Sequence, residues 1–325
     1  MILIHAIIHR TWDVAKFYSD SLSLWVPAAS NSEQLLPQSE APPKYLATIP
    51  QFSSWRNSAC DCLDLLHWDA LAVSAKAGGL EGPVFLTLHL ARMVLLSPVK
   101  ELEGLADTII NQPHPCLLPY ERLPLRQNFE ECQETVQMWA KRDRYKARLA
   151  VLHSASTFWH VRCNSSSSFV QPFAIFLATI ILWAYGTYSQ GRPQNQAPTA
   201  APDFHPQPNA PDAGSKDDTD AIEQCVDDEE LSSSPSHASS RATTPYIPSI
   251  PNFMHIDRPF DDEIAQHFIR SGELMKIFLE GVGELCSATG PKFVLREGAR
   301  ILRRTSVWSV SEHYATRLED LASRI

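Results

Sequence analysis

From Phe173 to Tyr185 the chain reads Phe-Ala-Ile-Phe-Leu-Ala-Thr-Ile-Ile-Leu-Trp-Ala-Tyr, without one charge. No other feature constrains the fold as much. A helix that is apolar on every side cannot face water along its length, so it belongs in the centre of a bundle or in a membrane. The run is short for a span, which needs about 20 residues. Thr179, Trp183 and Tyr185 within it carry polar atoms that suit a packed core. A buried core helix is the expectation. A membrane-associated protein anchored by residues 169–185 is the alternative, from a different functional class.

The other periodic stretches also read as helices. In Ala59–Ala75 the apolar positions 59, 62, 63, 66, 70 and 73 share one face. Gly82-Pro83 opens a helix over Val84–Leu96 that is apolar nearly all round and stops at Ser97-Pro98. Before the apolar run, Tyr145, Leu149, Leu152 and Trp159 mark a core stripe. Lys141, Arg144, Lys146, Arg148 and Arg162 mark a polar side. Nearer the C-terminus, Ile264, Phe268, Met275, Phe278, Val282 and Leu285 keep helical spacing up to Gly290-Pro291. Leu295, Ala299 and Leu302 start another helix. Ser309 with Glu312 forms a capping-box pattern before a last helix carrying Tyr314, Leu318, Leu321 and Ile325. Only 12 glycines are present and no strand alternation of useful length. The expected class is therefore all-α, a multi-helix bundle.

Composition divides the chain into three. Residues 1–190 and 259–325 are periodic, and the later part is expected to pack back on the earlier one. Residues 191–258 are rich in Pro, Ser, Asn, Gln and Asp, and hold 11 acidic against 4 basic residues, a balance of −7. Such a segment buries too little apolar surface to offset chain entropy and reads as a long disordered acidic Pro/Ser/Asp-rich insertion. Ala28–Pro50 and Pro113–Pro124 read as loops, the second because its prolines exclude a helix interior.

The net charge of −9 argues against bulk attraction to nucleic acid. The basic run Lys141–Arg148 and the cluster Arg296, Arg300, Arg303 and Arg304 read as solvated faces or as partners of buried acids. Seven cysteines at irregular spacing show no disulfide framework. Cys60 and Cys62 face different sides of a helix. His89, His153 and His160 lack the ordered ligand spacing of zinc and read as core histidines. His67 and Asp69 face apart, so they do not form an acid–base pair. No nucleophile motif or phosphate loop is present, so no catalytic residue, cofactor or metal is assigned.

Three groups of segments resemble the regulatory domain of fungal transcription factors of the two-Cys-two-His zinc-finger type. The first is His67-Trp-Asp-Ala70, with Gly79-Leu-Glu-Gly-Pro-Val84 and Leu88-His-Leu-Ala-Arg92. The second is Lys146-Ala-Arg-Leu-Ala-Val-Leu-His153, with Phe158-Trp-His-Val-Arg162 and Phe176 through Gly186. The third is Leu295-Arg-Glu-Gly-Ala-Arg-Ile-Leu302 with Trp308-Ser-Val-Ser311. The positions carried over are Trp68, Asp69, His89, Arg92, Lys146, Arg148, His153, Trp159, His160, Arg162 and Trp183, all expected to be structural. The resemblance implies a non-catalytic regulator of RNA polymerase II transcription in the nucleus. Its partner would be the transcription machinery or a coregulator, with homo- or heterodimerisation left open. Finger-like Cys/His spacing is absent from these 325 residues. Zinc and direct DNA contact are therefore expected only through fingers preceding the domain, or DNA through a partner, and no membrane contact is expected.

Overall fold

The computed structural model describes residues 1–19, 45–76, 82–111, 119–164, 168–190, 252–259, 261–305 and 308–325. The fold is all-α, with ten helices and one three-stranded sheet among these residues. In chain order they are α1 (Ile2–Ser19), α2 (Pro50–Lys76), α3 (Pro83–Leu96), α4 (Val99–Ile110), α5 (Pro119–Lys141), α6 (Arg144–Cys163) and α7 (Gln171–Tyr188). Then come β1 (Phe253–His255), α8 (Asp262–Ser271), β2 (Lys276–Leu279), β3 (Gly283–Glu284), α9 (Gly290–Thr305) and α10 (Ser309–Arg324). A 3-10 turn, Leu46–Thr48, precedes α2, and another, Gly272–Leu274, follows α8.

The apolar run becomes α7, which is the hub. It contacts α3, α4, α5, α6, α9 and α10. By length and composition α7 could cross a membrane, but 83% of that stretch is buried inside the bundle. Its apolar surface is thus already covered by protein. α3 behaves likewise, with every residue from Phe85 to Leu96 except His89 buried. Pro83 sits at its N-terminus and Ser97 ends it, as the sequence predicts.

Four local expectations fail. The helix anticipated through Leu285 stops at Ser271, and Lys276–Leu279 forms β2 instead. β2 pairs in parallel with β1 (Met254 beside Ile277) and antiparallel with β3 (Leu279 beside Gly283). The tight β2–β3 turn places Gly281 and Gly283 at φ +80° and +86°, where glycine avoids the steric cost of a side chain. β1 also falls inside the segment 191–258 expected to be linker, with Met254, Ile256 and Asp257 buried. α5 starts at Pro119, so its first turns run through Pro124 rather than after it. Finally, Trp308 rather than Ser309 occupies the cap position of α10, with no side-chain bond to the helix end, and Glu312 pairs with Arg303 instead of closing a capping box.

The insertion as far as residue 251, most of the loop Ala28–Pro50, and Gly78-Gly79 lie outside the described residues.

Candidate functional site

α6 carries most of the chemistry. Its buried residues are Ala147, Ala150, Val151, Ala155, Phe158 and Val161, together with Arg148, Ser154, Thr157 and His160. The stripe predicted from Tyr145, Leu149, Leu152 and Trp159 is therefore rotated. Tyr145 is exposed, while Leu149 and Trp159 are only partly covered. Two arginines that the spacing places on the polar side, Arg148 and Arg162, go inward.

Arg148 is 3% exposed. It donates to the Ile269 carbonyl at 2.9 Å and pairs with Glu273, which fastens the end of α8 to α6. Arg162 donates to Asp257 Oδ2 at 2.5 Å, to Glu297 Oε1 at 2.8 Å and to the Glu280 carbonyl at 2.8 Å. Asp257 is fully buried, and its Oδ2 also accepts the Glu280 amide at 2.8 Å. Burial pushes the Glu297 carboxyl up, but hydrogen bonds from Arg300 and Arg162 outweigh it and hold that carboxyl below the usual range. One guanidinium thus joins α6, the segment after β1, the β2–β3 turn and α9.

On the other side of α6 a set of histidines meets across α2, α3 and α6. His89 Nδ1 lies 3.1 Å from His153 Nδ1, so one ring donates to the other. His67 stands edge-on to His89, with centroids 6.0 Å apart, and edge-on to Phe85 at 5.7 Å. Burial, with like charge from His67, His160 and Arg92, pulls the His89 imidazolium down to about 3. Burial and His89 pull His153 well below the ordinary imidazole range. Both rings are therefore neutral at pH 7. Arg92, 4% exposed, pairs with Asp64 of α2.

The remaining residues singled out in the sequence have simpler places. Trp183 is buried in α7, and its indole N–H has no hydrogen-bond partner among the described residues. His160 is buried, and Lys146 is half-buried. Trp68 is 73% exposed and Asp69 is also exposed, so neither belongs to the core, contrary to the structural role expected of them. Of the α2 stripe read at 59, 62, 63, 66, 70 and 73, Ala59 and Leu63 are buried and Leu66 and Ala70 pack against the core, whereas Cys62 and Val73 are exposed; Leu65, Trp68 and Leu71 also face outward. Among the described residues, no group of three or more His, Cys, Asp or Glu is placed to hold a metal ion. Cys60 is buried and Cys62 exposed, so they do not act together.

A third polar assembly has no counterpart in the sequence reading. Tyr45 Oη donates to Asp143 Oδ2 at 2.8 Å, and Arg56 donates to the same oxygen at 2.7 Å. Arg56 is 5% exposed. Burial and then Asp143 raise the Tyr45 phenol far above its usual range, so it stays a donor. The one local signal was Asp143 itself, the lone acid in the run Lys141–Arg148.

Tyr45 and Arg56 line a cavity of about 470 Å³ where α1, the first 3-10 turn, the end of α3 and the start of α4 meet. Its walls are mainly apolar, with Trp12, Phe52, Val94, Leu96, Val99 and Phe173 contributing. That volume falls within the span of small-molecule sites.

No protein-family model, curated protein or solved structure matches the chain.

Proposed function

We propose that this chain is a non-catalytic regulator of RNA polymerase II transcription of the fungal type, working in the nucleus through a coregulator or the transcription machinery. One observation carries the reading. The segments that resemble the fungal regulatory domain, scattered over some 240 residues, are each other's partners. His89 of the first group meets His153 of the second. Arg162 of the second binds Glu297 of the third. Gly298 of the third lies against Thr179 of the second so closely that a Cβ there would be 2.9 Å from the threonine Cβ. Residues that fit together in this way support reading the three groups as parts of one module.

DNA is reached through zinc fingers preceding the module or through a partner, and zinc belongs only to such fingers. Internal pairing of the basic clusters favours this route. Arg303 pairs with Glu312 and Glu319, Arg300 with Glu297, and Arg144 and Arg148 with Glu273. Guanidinium groups engaged in this way have less to offer phosphates.

The test is to fuse the full chain to an unrelated DNA-binding domain and read a reporter with matching sites upstream. Reporter output should rise or fall relative to the DNA-binding domain alone. Output equal to that control, with the fusion present in the nucleus, counts against the proposal.

A further inference from the structure

We propose that the cavity between α1, α2, α3 and α4 binds an uncharged, largely apolar small molecule. Three observations lead there. The first is size and lining: about 470 Å³, walled mainly by aromatic and aliphatic side chains.

The second is charge. Lys16, Lys100, Glu101 and Glu103 line the cavity, two of each sign. The deeper cation, Arg56, is already held by Asp143 at 2.7 Å. A ligand with net charge would therefore enter a largely apolar space whose lining charges already cancel, and most of its desolvation cost would go unrepaid.

The third is that three hydroxyl donors in the wall are used internally. Thr11 Oγ1 donates to the Ile7 carbonyl at 2.8 Å, Ser97 Oγ to the Met93 carbonyl at 2.6 Å, and Tyr45 Oη to Asp143 at 2.8 Å. Recognition then rests on shape and apolar contact, which favours a neutral lipophile over a sugar, a nucleotide or an acid.

Two fluorophores of similar bulk test this on the full chain: neutral Nile red and anionic anilinonaphthalene sulfonate. Nile red should bind saturably at one site per chain, and at least about tenfold more tightly than the sulfonate. Ala47→Trp places an indole in the cavity wall at a position outside the Tyr45–Asp143–Arg56 assembly. It should weaken Nile red binding by about tenfold or more while circular dichroism and Tm stay unchanged. Should that variant fail to fold, Val99→Phe, at another wall of the same cavity, is read in its place. Trp68→Ala, on the exposed face of α2, should leave Nile red binding unaltered. Absence of saturable binding, equal binding of the sulfonate, unchanged binding by a folded filled variant, or loss of binding in Trp68→Ala each overturns the proposal. None of these results bears on the tethered-reporter outcome, so the two proposals fail separately.

Discussion

Replacing Gly298 by alanine should destabilise this protein, although alanine is the better helix former. In an unencumbered helix interior the change is worth about 1 kcal/mol in favour of alanine. At Gly298 of α9 the new methyl would fall on Thr179 Oγ1 and stand 2.5 Å from Thr179 Cγ2 and 2.9 Å from its Cβ. Turning the threonine side chain does not clear the Cβ contact. Turning it also breaks the bond from Thr179 Oγ1 to the Ile175 carbonyl at 2.6 Å. α7 is enclosed on several sides, so α9 has to move away from it. Overpacking costs about 1–3 kcal/mol. With the contacts held at backbone level the upper end applies, and after the propensity gain the net loss is about 2 kcal/mol. That corresponds to a fall in Tm of about 4–8 °C for a domain of this size. Urea midpoints and thermal melts of wild type and Gly298→Ala read it directly. Thr179→Ala removes Oγ1 and Cγ2, so adding Gly298→Ala in that background should cost at least about 1 kcal/mol less than in the wild type. A neutral or stabilising Gly298→Ala would refute the close approach of α9 to α7.

Other outcomes follow from the polar assemblies. His89 has a folded-state pKa of about 3 against an unfolded value near 6.5, so its contribution is fully present above pH 6.5 and is lost as pH falls. At pH 5 the loss should be about 2 kcal/mol, and toward pH 3 about 5 kcal/mol as an upper limit, because the residue keeps some contact with solvent. His89→Gln should flatten the decline between pH 6.5 and 5 in urea titrations, and an unchanged slope would count against the buried neutral ring. Arg162→Ala leaves Asp257 and Glu297 buried without their shared cation and should cost about 3–5 kcal/mol by denaturant unfolding. A cost below about 1 kcal/mol would mean that the network is not what joins α6 to the C-terminal elements. Trp68→Ala, on an exposed helix face, should change stability by no more than about 0.5 kcal/mol, and a loss of several kcal/mol would show that the indole is packed after all.

The core helices were legible because burial leaves its mark on local sequence. α7 and α3 are apolar all round, and only a central position satisfies such a pattern. The stretch from Met275 to Leu285 misled because Ile277 and Leu279 alternate as a strand, while Met275, Phe278, Val282 and Leu285 keep helical spacing. Pairing with β1 decided between them, and that partner lies more than 20 residues away. The partners of Arg148 and Arg162 were not legible because their acids are remote: Glu273 is 125 residues from Arg148, and Asp257 and Glu297 are 95 and 135 from Arg162. Trp68 erred the other way, an aromatic taken for core because it belongs to a familiar-looking segment. The cavity could not be read at all. It forms where helix ends meet, and no periodic pattern describes the space between elements.

Nascent transcription in cells that produce this protein, followed within minutes of its induced degradation, tests the proposed role in transcription. The proposed regulatory role predicts a prompt change in RNA polymerase II transcripts at a defined set of genes, restored by re-expressing the chain. Unaltered nascent transcripts after complete loss of the protein would contradict it.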